Sequence, residues 1–162
     1  MGLLSYRRLA TAVTGLLVAA SGVVDARADI VTDLEGRWSG WGSIVMSSGA
    51  SEQVRCVVQY AAGNGGGLVR QSLRCASASY RIDAEAELTI SDGEVSGKWS
   101  ERTYGADGGV RGRASDAGLN LTIEGAHFSA AMAVTTGGCK QSITIAPTGI
   151  DVARVSITLS KC

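Results

Sequence analysis

Side chains able to do chemistry are sparse in this chain and poorly placed for it. There is one histidine, His127, three residues after Glu124 in a stretch that reads as a turn. A triad hydrolase needs a base held by an orienting carboxylate beside a nucleophile, and no Gly-x-Ser-x-Gly elbow presents that nucleophile. A single turn histidine reads as a solvated residue. Asp83, Glu85 and Glu87 resemble a carboxylate cluster, but they alternate with apolar residues and basic partners face two of them, so they read as a wet strand face. Gly63-Asn64-Gly65-Gly66-Gly67 lacks the Lys-Ser/Thr of a phosphate loop, and no helical pattern follows it. Cys56, Cys75, Cys139 and Cys162 are spaced too widely for a zinc site. The expectation is a protein with no catalytic residue, no cofactor and no metal.

The cysteines have another use. Arg7-Arg8, the apolar run from Leu9 to Val24 and Ala26-Arg27-Ala28 form a basic, apolar and small-residue sequence typical of a secretory signal peptide. Residues 1–28 read as that leader and residues 29–162 as a single domain, periplasmic or secreted, with no membrane span once the leader is cut. An oxidising compartment makes disulfides the default for all four cysteines. Of the 15 basic and 15 acidic residues, Arg7, Arg8, Arg27 and Asp25 lie in the leader. The remainder is near neutral with a slight acidic excess, which argues against nucleic acid or an anionic membrane as a partner.

The elements that must position everything else are strands. Tyr80, Ile82, Ala84, Ala86, Leu88 and Ile90 alternate with polar residues, and Asp92-Gly93 suits a type I′ hairpin turn. Folding there sets Ile90 opposite Val95, Leu88 opposite Gly97 and Ala86 opposite Trp99, with Glu87 meeting Lys98 and Asp83 meeting Arg102. A second hairpin with Tyr60 opposite Gln71 sets Cys56 opposite Cys75, a separation suited to a disulfide. Cys139 and Cys162 are left to staple the last strand. The first strand is expected over 36–46, the returning strand over 94–104, a loose turn over 105–109 and a strand over 110–114. Gly125-Ala126 fits a two-residue turn that sets Ile123 against Phe128, Leu121 against Ala130 and Leu119 against Met132. A shift of alternation predicts a bulge near Ala153-Arg154. No helical periodicity stands out after the leader. The fold class is all-β: an antiparallel up-and-down meander closing into an eight- to ten-stranded barrel.

Inward positions by parity are small at Gly40, Gly42, Ala84, Ala86, Gly97, Gly112 and Ala130. A barrel of this size is either filled by side chains or holds one small ligand. Two readings follow: a cavity, or tight packing in which small residues make room for Trp38 and Trp99. In the first, Trp38, Tyr60, Trp99 and Met132 supply apolar surface. Gln71, Glu101 and Gln141, polar yet inward, meet either a ligand or water at the barrel mouth.

Leu34-Glu35-Gly36-Arg37-Trp38 followed by Gly42-Ser43 resembles the opening strand of calycin barrels. Gly36-Arg37-Trp38 is similar to the lipocalin Gly-x-Trp, and Gly36, Trp38, Gly42 and Ser43 to the avidin pattern with a one-residue gap. The resemblance implies an up-and-down barrel binding a small ligand inside, with Trp38 closing one end and Ser43 pointing at the ligand. Gly36, Trp38, Cys56 and Cys75 also resemble exported bacterial inhibitors of secreted metalloproteases, which act through an N-terminal segment, here Asp29 to Glu35. The expectation is a non-enzymatic barrel binding a small apolar or amphipathic molecule. The alternative is a protein-binding module such as a hydrolase inhibitor, contacting its target through 63–67 or 105–109.

Overall fold

Alternating apolar residues punctuated by turn residues leave the chain one economical arrangement, hairpin after hairpin, and the last strand closes on the first. The computed structural model describes residues 26–162. The expected leader lies outside the described residues apart from 26–28. The elements are α1 (Ala26–Leu34), β1 (Gly36–Met46), β2 (Ser51–Ala62), β3 (Leu68–Ala76), β4 (Arg81–Ser91) and β5 (Glu94–Glu101), then β6 (Ala106–Ser115), β7 (Gly118–Gly125), β8 (Ser129–Gly137), β9 (Lys140–Thr148) and β10 (Val152–Ser160). Every strand pairs antiparallel with its chain neighbours, and β10 pairs with β1, so the ten strands form a closed barrel without a free edge.

The registers follow from side-chain parity. Asp92 (φ 54°) and Gly93 (φ 75°) take the two positive angles of the β4–β5 turn. That turn sets Ile90 against Val95, Leu88 against Gly97 and Ala86 against Trp99. In the β2–β3 ladder Tyr60 faces Gln71 and Cys56 faces Cys75. Disulfides join Cys56 to Cys75 (Cα–Cα 4.1 Å) and Cys139 to Cys162 (Cα–Cα 5.4 Å). Val45 pairs with Arg154 but Met46 with Val152, which leaves Ala153 as the extra residue of a bulge. One face of each strand is apolar and turned inward, with Val54, Leu88, Val110, Leu121, Ile143 and Ile157 all buried. The outer face carries cross-strand ion pairs such as Arg70–Glu87, Arg74–Asp83 and Arg113–Glu94, worth a few tenths of a kcal/mol each. Glu87 does stand opposite Lys98, yet its ion pair is with Arg70 on the other side. Apolar inside and charged outside is the reverse of a lipid-spanning barrel, and among the described residues no helix is long and apolar enough to cross a membrane.

Three expectations need correction. First, a helix precedes the barrel. α1 places Ile30, Val31 and Leu34 on one buried face, the i, i+1, i+4 spacing of a helical stripe compressed into nine residues. It spans the expected cleavage point, and a cut before Asp29 would leave all three plug residues on the chain. Second, the β7–β8 register is two residues longer than expected: Ile123 faces Ala130, Leu121 faces Met132 and Leu119 faces Val134. The amide of Gly125 donates to the Phe128 carbonyl (3.0 Å), closing a wider turn. Phe128 leaves the ladder to pack edge-on against Trp99, ring centroids 5.5 Å apart. The shift is even, so the inward face survives. Third, β5 stops at Glu101 and β6 begins at Ala106, because Glu101 folds the chain between them into a tight turn.

The helix fixes which end of the barrel is shut. The Trp38 indole N–H donates to the Leu34 carbonyl (2.7 Å), joining β1 to the last turn of α1. Lys161 lies 4.8 Å from the Trp38 ring centroid and donates to the Asp33 and Glu35 carbonyls (2.9 and 3.4 Å). A cation at a helix C-terminus satisfies carbonyls the helix leaves open, and the neighbouring Cys162–Cys139 bridge holds Lys161 there. The turns 63–67, 92–93, 116–117 and 138–139 gather at this closed end. Those at 47–50, 77–80, 102–105, 126–128 and 149–151 ring the other.

Candidate functional site

The half of the barrel away from α1 is hollow. A cavity of about 550 Å³ runs from the 102–105 and 149–151 turns inward to Leu88, Val110 and Ile157. Its wall is aliphatic: Ile44, Val54, Leu73, Leu121, Ile145 and Val155 converge from different strands because every second residue faces in. Its mouth is aromatic, with Tyr80, Trp99, Tyr104 and Phe128. Tyr104 and Ile150 are exposed while lining it, so the cavity reaches solvent there. The Cys56–Cys75 bridge forms part of the wall, through Cys75.

Both readings of the small inward residues are realised, in different places. Ala84, Ala86 and Ala130 line the cavity. The glycines serve close approach instead. A Cβ at Gly97 would stand 2.2 Å from the Glu87 carbonyl oxygen. One at Gly108, opposite Trp99, would stand 2.9 Å from the indole nitrogen. Gly108 thus admits Trp99, whose N–H donates to the Glu124 carbonyl (3.0 Å).

The eight sequence-derived site residues divide. Gln71, Trp99, Glu101 and Met132 line the cavity. Trp38, Tyr60 and Gln141 do not; each is about 2% exposed or less, packed in the closed end beyond the cavity floor. Trp38 therefore closes the barrel, as the calycin resemblance implies, without offering surface to a ligand. The Tyr60 hydroxyl donates to Gln141 Oε1 (3.2 Å), and burial pushes the Tyr60 phenol well above its ordinary range, with the Gln141 contact working the other way. Gln141 Nε2 and Thr136 Oγ1 stand opposite each other in the ladder, both buried without a hydrogen-bond partner among the described residues. Ser43 is a correction. Trp38, Gly40, Gly42 and Ile44 share the inward parity of β1, so Ser43 takes the outer face between Gln53 and Ser156.

Glu101 also departs from the role of a ligand handle. It is 8% exposed, and its carboxylate accepts three backbone N–H groups: Asp83 (2.9 Å), Thr103 (3.0 Å) and Tyr104 (2.6 Å). Burial pushes its pKa up, but these donors outweigh that and hold it below the ordinary carboxylate value. Its work is to anchor the 102–105 turn and present Tyr104. Glu52 does the same for 77–80, accepting the Ser79 amide (3.0 Å), and the Tyr80 hydroxyl reaches Met46 Sδ (3.2 Å). Tyr80, which the alternation places on the dry face, and Phe128, which the expected turn sets against Ile123, line the mouth as well; Tyr104 sits in a turn, where parity says nothing, and only its size among polar turn residues marks it.

Elsewhere, Glu124 beside His127 is engaged across the ladder by Arg111. Among the described residues, no three His, Cys, Asp or Glu side chains are grouped to hold a metal ion. No protein-family model matches this chain, and no curated protein matches it either. The closed antiparallel barrel is consistent with a calycin-like architecture, and the two disulfides fit an oxidising compartment.

Proposed function

We propose that this protein is a non-enzymatic periplasmic or secreted carrier that takes a small apolar or amphipathic molecule into its barrel through the open end. The observation that carries the reading is the cavity of about 550 Å³ with a nearly continuous apolar wall, shut at one end by α1 and open at the other. Natural interiors close-pack, and a void of this size lies within the range of small-molecule sites. Leaving such a wall in contact with water forfeits apolar burial that a ligand would restore, about 25 cal/mol per Å². The N-terminal mode of the inhibitors this chain resembles draws no support, since Ile30, Val31 and Leu34 are buried in the closed end.

Native mass spectrometry of protein purified from the periplasm, with titration by the neutral fluorophore N-phenyl-1-naphthylamine, tests the reading. A co-purifying mass or saturable enhancement of fluorescence is expected. The absence of both a mass excess and saturable uptake refutes it.

A further inference from the structure

We propose that the ligand is an uncharged amphiphile, such as a long-chain alcohol or ketone, whose one hydrogen-bonding group is met inside the barrel by Gln71. This rests on the carrier reading above and adds the ligand class. Gln71 is the deepest residue of β3 to reach the cavity; Val69, the next inward position, is buried beneath it in the core. Its side-chain amide has no hydrogen-bond partner among the described residues. A ligand that fills the cavity strips this half-buried amide of water, which costs free energy unless its hydrogen-bonding groups are met again; a hydroxyl on the ligand meets donor and acceptor, and a carbonyl meets the donor.

Charge narrows the class further. Among the described residues, no Lys, Arg or His lines the cavity. A carboxylate or phosphate brought inside would lose its hydration with no counter-charge, and would face the ionised Glu101, so anions are rejected. A cation finds no better host. The oxygens of Glu101 are already taken by three backbone amides, and Glu85 is paired with Arg102 at the surface. The Trp99 N–H, spent on the Glu124 carbonyl, leaves only its ring for the ligand. Size follows from volume. An apolar cavity of about 150 Å³ accepts benzene, so at the same scale this one accommodates roughly 20 carbon atoms.

The experiment is competition against bound N-phenyl-1-naphthylamine by four compounds of one chain length: tetradecan-1-ol, myristate, tetradecylammonium and tetradecane. The alcohol is expected to displace the probe at least tenfold more tightly than myristate or the ammonium ion. In Gln71→Met the alcohol should weaken about fivefold, the worth of one neutral hydrogen bond, while tetradecane binds as before; that retained binding shows the barrel is intact. Myristate or the ammonium ion matching the alcohol, or Gln71→Met leaving the alcohol unchanged, overturns the ligand class while the carrier reading stands. If Gln71→Met does not fold, the head-group series on the unaltered protein still decides. Displacement by none of the four, with the probe still bound, overturns the ligand class while the carrier reading stands; a protein that takes up neither the probe nor any of the four defeats both.

Discussion

Replacing Glu101 by glutamine should loosen one side of the barrel mouth in a way that depends on pH. The carboxylate accepts the amides of Asp83, Thr103 and Tyr104 at 2.6 to 3.0 Å, and the side chain is 8% exposed. Glutamine keeps one acceptor oxygen, so one bond is lost and the others become neutral. Hydrogen bonds to a charged group contribute about 1.5–3 kcal/mol against about 0.5–1.5 for neutral ones. Together these changes should cost about 3.5–6 kcal/mol at neutral pH. The sign with pH follows from the lowered pKa of Glu101 in the folded state, against an ordinary value of 4.5. Its contribution is complete above the ordinary carboxylate range and is lost as pH falls through the folded value. Urea unfolding of both proteins from about pH 7 down to about pH 3 measures this, and taking the difference cancels nearby Asp83, Glu85, Arg74 and Arg102. The difference should be largest at neutral pH and shrink in acid, with faster amide exchange in 102–105. A difference under about 0.5 kcal/mol, or one independent of pH, would refute the assignment of Glu101 as the anchor of this turn.

Three further outcomes are expected. Ala130→Phe places a ring in the cavity beside Met132; it should abolish uptake of N-phenyl-1-naphthylamine while changing stability by less than about 1 kcal/mol, where a filled core would lose about 1–3. Leu34→Ala, at a side chain with no exposed surface, should cost about 2–4 kcal/mol by chemical denaturation without changing probe affinity at the far end. Replacing Cys139 and Cys162 together by serine opens a loop of sequence separation 23; stability should fall by about 3 kcal/mol. Hydrogen exchange should show α1 losing protection first, since Lys161 no longer meets the Asp33 and Glu35 carbonyls.

Local chemistry alone determined most of the barrel. Asp92-Gly93 with the flanking alternation admits one β4–β5 register, and the same parity places Cys56 opposite Cys75, because a slip of one residue would turn every apolar side chain to water. Parity also identified Gln71, Trp99, Glu101 and Met132 as cavity residues. It could not separate them from Trp38, Tyr60 and Gln141, which share the inward face. Depth along the barrel axis depends on how ten strands stagger and on what shuts an end, and both are properties of the closed sheet. The helix at Ala26–Leu34 has too few residues to announce itself, and only the barrel end it fills makes it stable. Glu101 is legible as an inward carboxylate, but its three amide donors come from a neighbouring strand and a turn that exist only once the chain has folded. The hollow itself is a tertiary outcome. Alanines and glycines look alike in a pattern of small residues, yet the alanines open space while the glycines are consumed by the close passage of adjacent backbones.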